Sequence, residues 1–465
     1  MHVSDPLPGS PATASAALYR RIWRWHFFAA LVCMPVILLL AVTGALYLFH
    51  QQIDDLVYGS TMLRAPSKPA PAAPPSVLVA SALRTFTGRA SAFNTPADAR
   101  HNAQVDVLGL DGVTLQVFVD PASGHVAGAI AASSRLMTTV KHIHSLTVAG
   151  TAGNVVIEIV AGWVMVLICT GAYLWWPRGR QVGVLAIRAG ARGRIWWRDL
   201  HALTGAFGGS IILFLALTGM PWSVFWGQNV NAWMTAHGLG VPTGMWSALP
   251  QSKVLAGSLG AVPWSQQQLP LPASDPHAAH RAMGHAFQPA QAPDHTVSID
   301  QIAARLPLLG MTGAWQLALP TDAGGVYSAI QTPGPVAQQR VIHFDQYSGK
   351  VLLDLGGADI GTLGRITEWG ISVHQGQQYG WPNLLLMLAG CLALIGLCVS
   401  GVVMWWSRRP RGQLAAPARP ADDALAPGVL LIAVVLGCVF PLLGASMLAV
   451  LAVDALLGIF RARRR

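Results

Sequence analysis

Two histidines occupy equivalent places in the two halves of this chain. His26 lies 17 residues before Thr43, and His201 lies 17 residues before Thr218. A neutral imidazole is a good ligand for iron. Because the two spacings agree to the residue, we interpret His26 and His201 as one matched pair of candidate metal ligands.

A second pair of histidines repeats with a different spacing. His144 lies 26 residues before Thr170, and His374 lies 26 residues before Ser400. Facing helices of a bundle can each offer one imidazole, and two axial histidines on one iron are a common way to hold haem b. The two pairs together predict two haem b groups.

Apolar segments long enough to cross a membrane accompany these histidines. Hydrophobic residues make up 53% of the chain and charged residues 11%, whereas roughly a quarter of an average protein is charged. About 20 apolar residues cross a hydrocarbon core of ~30 Å. The segments that qualify are 27–49, 155–176, 202–226, 383–406 and 429–460. We therefore expect a mainly α-helical membrane protein, with a duplicated bundle of four core spans and a C-terminal addition.

The C-terminal segment 429–460 is too long for one span. As a single helix its 32 residues would reach ~48 Å. Pro441 and Gly444 lie near its middle, and four arginines follow it. One long kinked helix and a hairpin both fit the pattern, and the basic end favours a hairpin, giving six spans of which the last two are short.

The formal net charge of +10 reflects membrane topology. Of the 30 lysines and arginines, 17 fall in residues 1–25, 177–200, 407–428 and 461–465, whereas the long loops 51–154 and 227–382 are near neutral. Short basic segments mark the cytoplasmic side. We expect the N-terminus in the cytoplasm and both long loops outside, and the charge does not indicate a nucleic-acid partner.

Both long loops carry the same strand–turn–strand pattern. Asp120 and Ser123-Gly124 lie between two apolar stretches, and Asp345 and Ser348-Gly349 lie at the same places in the second loop. These residues favour tight turns. Residues 77–84 and 299–306 predict a short helix before each hairpin. We therefore expect two small α+β domains outside the membrane.

The direction in which the two halves cross the membrane determines which histidines pair. Because both halves enter and leave the membrane in the same direction, their pseudo-twofold axis should lie along the membrane normal. Equivalent residues then face each other at the same depth. We expect His26 to face His201 near the cytoplasmic surface, and His144 to face His374 near the outer surface.

Other polar residues have no equivalent residue in the other half of the chain. His142 corresponds to Ser372 and stays an alternative ligand beside His144. Glu158, inside an apolar segment, also has no duplicate; proton uptake, a haem propionate environment and a solvated interface are all open for it. An irregular insertion over 247–295 contains four histidines that match no fixed metal-site spacing: His277, His280, His285 and His295.

The sequence contains no dinucleotide-binding fingerprint, no Walker loop and no obvious flavin domain. If haem carries electrons in this protein, the reductant must therefore be a separate protein or a quinol.

Short motifs spread over the chain match one family. They are Trp25-His26, His144-Ser-Leu, Leu174-Trp-Trp-Pro-Arg178, Arg198-Asp-Leu-His201, Leu217-Thr-Gly-Met-Pro-Trp222, His374-x-Gly376 and Met404-Trp-Trp406. With them, the chain resembles the PepSY-associated transmembrane family, which includes iron-regulated inner-membrane proteins and ferric-siderophore reductases. The family pattern has an extra residue between the histidine and Ser145-Leu146, so the choice between His142 and His144 stays open.

The resemblance implies a haem-dependent oxidoreductase in the bacterial inner membrane, with two PepSY-like periplasmic domains. It implies two b-type haems, for which His26, His201, His144 and His374 are the candidate ligands, and electron transfer outward to a ferric siderophore or related metal chelate. The alternative is a haem-free scaffold whose PepSY domains bind or regulate an exported protease or peptide.

The predicted order of segments follows from these assignments. It is a cytoplasmic N-terminus (1–25), a first span (26–50), a first PepSY-like domain (51–143), a second span (144–176), a basic cytoplasmic loop (177–200), a third span (201–226), a second PepSY-like domain (227–373), a fourth span (374–406), a cytoplasmic loop (407–428) and a membrane hairpin (429–460).

Overall fold

The computed structural model describes residues 11–65, 71–177, 185–242, 296–322, 324–331, 334–410 and 427–463. The chain divides into two compact units. The helical unit comprises Met1–Leu48, His142–Gln228 and Trp381–Arg465, and the sheet unit comprises Phe49–Lys141 and Asn229–Gly380. Each unit therefore draws segments from both halves of the sequence repeat.

Long apolar helices make up most of the helical unit. In chain order, the described helices are α1 (Pro11–Tyr47), α2 (His50–Met62), α3 (Pro75–Thr85), α4 (Leu136–His144), α5 (Gly150–Trp175), α6 (Gly193–Gly219), α7 (Trp226–Ala236), α8 (Ile299–Arg305), α9 (Thr362–His374), α10 (Trp381–Arg408), α11 (Pro427–Val439) and α12 (Pro441–Arg463). Five stretches within the described residues are long and apolar enough to cross a membrane: Ala16–Tyr47, Thr147–Trp175, Gly193–Trp222, Trp381–Arg408 and Pro441–Phe460. The protein is a multi-pass membrane protein, as predicted.

Helices α1, α5, α6 and α10 form a four-helix bundle. Helix α1 packs against α5 and α10, and α6 packs against the same two helices. Helices α1 and α6, which are equivalent in the repeat, therefore lie diagonally opposite each other, as a pseudo-twofold axis through the bundle requires. Small and branched side chains from all four helices fill the centre: Cys33, Ile37, Val160, Val164, Ile212 and Cys398.

The first and third spans begin earlier than predicted. Helix α1 begins at Pro11 and α6 at Gly193, so that His26 and His201 lie inside helices rather than at their first residues. The extra residues at the start of α6 include Asp199, which is buried. Its carboxylate is paired with the guanidinium groups of Arg188 and Arg198. A buried charge is tolerated when it is paired and hydrogen-bonded.

The C-terminal segment folds back on itself. A Cβ atom added to Gly437 would lie 3.1 Å from the Cα atom of Gly444, whereas residues seven apart in one helix are separated by about 10 Å. The predicted reversal is therefore present, between α11 and α12. Of the six expected spans, five are long enough within the described residues, and the 13 residues of α11 reach ~20 Å.

The sheet unit contains one eight-stranded antiparallel sheet. Its strands are β1 (Arg89–Asn94), β2 (Ala103–Leu108), β3 (Thr114–Val119), β4 (Val126–Ala131), β5 (Trp315–Ala318), β6 (Val326–Gln331), β7 (Arg340–Asp345) and β8 (Val351–Gly356). Their order is β4-β3-β2-β1-β5-β6-β7-β8. The prediction of two separate α+β domains is corrected here, since each predicted domain supplies half of a shared sheet.

The two halves of the sheet join through β1 and β5. Ala92 pairs with Ala318, and Phe93 pairs with Leu317. In an isolated half, β1 or β5 would be an edge strand with unpaired backbone groups. Pairing the two edges satisfies those groups and removes both edges at once.

Both predicted turns are present, and they have the same hydrogen-bonding pattern. The Oδ1 atoms of Asp120 and Asp345 each accept hydrogen bonds from the backbone N–H groups two and three residues later. Gly124 and Gly349 follow at φ values of +71° and +66°, a region that glycine adopts without strain. The repeat seen in the sequence is therefore a structural repeat.

Helices α3 and α8, which correspond to the two predicted short helices, pack side by side on the sheet. Leu78 of α3 and Ile302 of α8 are buried against the strands of their own halves. The carboxylate of Asp300 accepts hydrogen bonds from the backbone N–H and the hydroxyl of Ser76, linking the first turns of the two helices. Asp300 thus connects the two halves on the helical side of the sheet.

We predict that Asp300→Ala lowers the stability of the sheet unit by about 1–2 kcal/mol, because two hydrogen bonds to a carboxylate are lost. Thermal unfolding of the full chain in detergent, followed by intrinsic fluorescence, measures the effect. Asp300→Asn, which keeps an acceptor for the Ser76 N–H, should fall between wild type and Asp300→Ala. Unchanged unfolding of the alanine variant would contradict this role.

Candidate functional site

His26 and His201 meet inside the helical unit. Their ring centroids are 6.5 Å apart and their ring planes are 86° apart. His26 belongs to α1 and His201 to α6, the two helices that face each other diagonally across the bundle. The structure thus brings together the first pair of histidines that the repeat predicts.

The ring separation matches what a shared metal requires. Metal–imidazole bonds of about 2 Å place two in-line ring centroids roughly 6 Å apart. Two aromatic rings in direct edge-to-face contact also have centroids ~4.5–7 Å apart. The distance therefore fits both arrangements, and the other contacts of each ring must decide between them.

Each of these rings uses its Nδ1 atom to contact a hydroxyl on a neighbouring helix. His26 Nδ1 lies 2.9 Å from Thr170 Oγ1, and His201 Nδ1 lies 2.8 Å from Ser400 Oγ. Thr170 and Ser400 belong to α5 and α10, the second equivalent pair of helices. The two rings are therefore held in the same way in the two halves of the bundle.

His144 makes the same contact at the other end of α1. Its Nδ1 atom lies 2.9 Å from Thr43 Oγ1. His144 is therefore held by a hydroxyl of another helix, as His26 and His201 are.

The two histidine sites of the helical unit are well separated. His26 and Thr43, the partner of His144, are 17 residues apart on α1. Seventeen residues of α-helix rise roughly 26 Å, close to the ~30 Å thickness of the hydrocarbon core. The contacts of His26 and His144 therefore lie towards opposite ends of the bundle.

The remaining candidate histidines occupy other surroundings. His142 is exposed, and its Nδ1 atom lies 2.9 Å from Thr147 Oγ1, close by in sequence. His374 is the last residue of α9, belongs to the sheet unit and is half-buried. Of the two neighbours His142 and His144, the structure places only His144 against a hydroxyl of the bundle.

A glycine follows each hydroxyl residue that contacts a histidine (Thr43, Thr170 and Ser400), and it leaves room for the imidazole ring. A Cβ atom added to Gly44 would lie 3.2 Å from Cε1 of His144, and one added to Gly171 would lie 3.4 Å from Cε1 of His26. At Gly401 the corresponding distance to His201 is 4.0 Å. The imidazole rings therefore lie over glycine backbone, where a larger residue would crowd them.

Sequence reasoning missed the role of these Thr/Ser-Gly pairs. The pairs were visible as a feature of all four core spans, and close helix packing is the usual meaning of small residues in membrane helices. Their fixed distance from the histidines was a usable signal. It could not show that each hydroxyl contacts a histidine from a different helix.

The contacts of Glu158 explain why a carboxylate lies inside an apolar span. Its carboxylate accepts hydrogen bonds from the backbone N–H groups of Phe225 (3.0 Å) and Trp226 (3.1 Å), where α7 begins. Asn154, one turn earlier, accepts from the N–H of Val224 at 2.8 Å. A helix N-terminus leaves N–H groups unpaired and favours negative charge. Glu158 is 2% exposed, which excludes the solvated interface, and its contacts give the carboxylate a structural role. Proton uptake and a haem propionate environment stay predictions.

No group of three or more His, Cys, Asp or Glu side chains that could hold a metal ion is found within the described residues. The four histidines of the predicted insertion, His277, His280, His285 and His295, lie outside those residues.

A polar cleft of about 1050 Å³ lies within the sheet unit. Side-chain amides such as those of Gln104 and Gln338 line it, together with Arg340 and His101. Partial burial opposes protonation of His101, but its hydrogen bonds to neighbouring carboxylates raise the pKa above its usual value. The cleft thus offers both donors and acceptors to a polar ligand.

Comparison with known protein families adds to this geometry. The family model described as the PepSY-associated TM region matches residues 23–408. The chain belongs to this family. The match includes His26, His144, His201 and His374, together with the whole described part of the sheet unit. A search of the curated proteins gives no match for this PepSY-associated protein.

We predict that Glu158→Leu destabilises the helical unit of this PepSY-associated protein by roughly 1–3 kcal/mol, because the N–H groups at the start of α7 lose their acceptor. Thermal unfolding in detergent measures the loss. Glu158→Gln keeps one acceptor oxygen and should retain most of the stability. If the glutamine variant were as unstable as the leucine variant, the negative charge and not the hydrogen bonding would be the important property.

Proposed function

We propose that this PepSY-associated protein is a di-haem b electron-transfer protein that reduces a ferric siderophore or related ferric chelate outside the cytoplasm. The observation that carries the proposal is the approach of His26 and His201 across the bundle, with a ring separation of 6.5 Å and with each Nδ1 atom against a hydroxyl of a neighbouring helix. The sequence repeat extends the proposal to a second haem with His144 and His374 as ligands.

The chemistry of the donor set fits the cofactor. Neutral imidazoles are the usual axial ligands of b-type haem, and the rings of His26 and His201 come from helices on opposite sides of the bundle. The glycines beside the rings leave space that a Cβ atom would fill. Haem iron bound there would supply one-electron chemistry by alternating between its ferric and ferrous states.

The chain's own residues then have defined tasks. His26 and His201 bind iron towards one end of the bundle, and His144 lies towards the other end. The apolar side chains packed around Ile37 and Ile212 exclude water from the centre of the bundle. Separation of the two sites along α1 allows an electron to enter on one side of the membrane and leave on the other.

The proposed topology places the electron donor in the cytoplasm or in the membrane. The basic segments predict a cytoplasmic N-terminus and a sheet unit outside the inner membrane. One electron from a cytoplasmic reductant or a quinol would convert one ferric chelate to its ferrous form. Hard oxygen chelators hold Fe(II) less tightly than Fe(III), so reduction favours release of the iron.

The polar cleft of the sheet unit supports docking of a polar substrate. Its volume of about 1050 Å³ is comparable to the ~300–1000 Å³ of small-molecule sites. The same cleft would also accept an extended peptide, which is what the alternative function, a haem-free scaffold for an exported protease or peptide, requires. The two functions differ in whether the histidines are needed.

We predict that the purified protein shows reduced-minus-oxidised absorbance bands of b-type haem, with about two haems per chain. His201→Ala should remove the haem shared with His26 and leave about one haem per chain. His142→Ala, at the exposed neighbouring histidine, should keep both. Haem counted per chain by chemical extraction, together with the difference spectrum, measures these outcomes.

The same variants separate the two functions. In vesicles supplied with a reductant on one side, His201→Ala should lose reduction of an external ferric chelate, whereas His142→Ala should retain it. A wild-type protein without b-type bands would overturn the redox proposal and leave the scaffold, for which replacing the four histidines has no effect.

A further inference from the structure

Three histidines of the helical unit share one arrangement of contacts. In each, the imidazole Nδ1 atom lies 2.8–2.9 Å from the hydroxyl of a threonine or serine, on a helix other than the one that carries the histidine. The pairs are His26 with Thr170, His201 with Ser400, and His144 with Thr43. A contact that recurs three times, in both halves of a duplicated chain, calls for a common explanation.

The proton of each hydroxyl is already used. Thr170 Oγ1 donates to the carbonyl of Val166 at 2.8 Å, and Ser400 Oγ donates to that of Gly396 at 2.6 Å. Thr43 Oγ1 donates in the same way within α1. A hydroxyl has one proton and two acceptor lone pairs. A hydroxyl that donates to a carbonyl in this way accepts a hydrogen bond from the imidazole, which then carries its proton on Nδ1.

This proton position decides which nitrogen can bind a metal. A neutral imidazole protonated on Nδ1 has its free lone pair on Nε2. The hydroxyls, together with the backbone carbonyls of Leu40 beside His144 and Leu397 beside His201, therefore favour the tautomer with an available Nε2 atom. Hydrogen bonds of this kind orient metal-bound histidines and raise their basicity.

The glycine after each hydroxyl completes the arrangement. At Gly44 a Cβ atom would come within 3.2 Å of the ring of His144, tighter than an ordinary contact. At Gly171 and Gly401 the space beside the ring is larger, and a side chain bigger than alanine would enter it. The hydroxyl thus makes a hydrogen bond to the ring, and the glycine leaves room beside the same ring.

We propose that the Thr/Ser-Gly pairs Thr170-Gly171, Ser400-Gly401 and Thr43-Gly44 are positioning sites for the haem-ligand histidines. Each pair, on a different helix from its histidine, holds that histidine with Nε2 ready to bind iron. This inference rests on the proposed haem-binding function. It assigns the pairs a role in cofactor affinity and potential, beyond the close packing of helices.

Helix α10 offers a matched test. Ser400 and Ser407 each donate to the carbonyl four residues earlier, at 2.6 and 2.7 Å, but only Ser400 is paired with a histidine in the structure. Titration of haem into haem-depleted protein should show that Ser400→Ala weakens binding at the His26/His201 site by about 10- to 100-fold. Ser407→Ala should bind haem like wild type.

The midpoint potential gives a second readout. A hydrogen bond donated by Nδ1–H makes the imidazole more basic and stabilises ferric iron, so its loss in Ser400→Ala should raise the potential of that haem. A tenfold change in the ferric-to-ferrous preference corresponds to about 59 mV. The haem at the other site serves as an internal reference, because its ligands are unchanged.

Helix α5 provides a second, independent variant. Thr170→Val keeps the shape and removes the hydroxyl, whereas Thr170→Ser keeps the hydroxyl. We expect weakened haem binding and a raised potential in the valine variant, and wild-type values in the serine variant.

The possible outcomes separate the two proposals. If wild type binds haem but Ser400→Ala and Thr170→Val keep its affinity and potential, the positioning role is wrong and the haem function stands. If wild type binds no haem, the proposed function fails first. A variant that does not fold is replaced by the other one, because the two hydroxyls hold the two ligands of the same site.

Discussion

The structure depends on how polar imidazoles are accommodated inside an apolar helical bundle. A buried ring nitrogen without a partner is costly, and the bundle meets this need with a hydroxyl from a neighbouring helix for His26, His201 and His144. These contacts connect α1 with α5, α6 with α10 and α4 with α1. The duplicated sequence thus becomes a bundle in which equivalent helices lie opposite each other and His26 meets His201.

This arrangement connects the fold to the proposed chemistry. The two proposed haem positions, towards opposite ends of the bundle, suit electron transfer across a membrane, and the separation of about 26 Å along α1 follows from helix geometry alone. The sheet unit contributes a polar cleft, and its two halves share one sheet because β1 and β5 would otherwise be exposed edges. One duplication therefore accounts for both the approach of His26 to His201 and the joined sheet.

Much of this could be predicted from the sequence, and the failures have physical causes. The matched spacings of His26 and His201 predicted their meeting, and the Asp-x-x-Ser-Gly turns predicted the hairpins. The joined sheet was missed because β1 and β5 are far apart in the chain and nothing in a local pattern shows which edge is covered. Glu158 was left open because its partners, the N–H groups of Phe225 and Trp226, come from a later segment.

The proposed function requires that His26 and His201 bind the same haem iron. Electron paramagnetic resonance of the oxidised, purified protein tests it most directly, because two axial imidazoles give low-spin ferric haem. Wild type should show low-spin signals from two haems. His26→Ala and His201→Ala should each abolish the same one of the two signals. Two different signals lost in the two variants, or no haem signal in wild type, would contradict it.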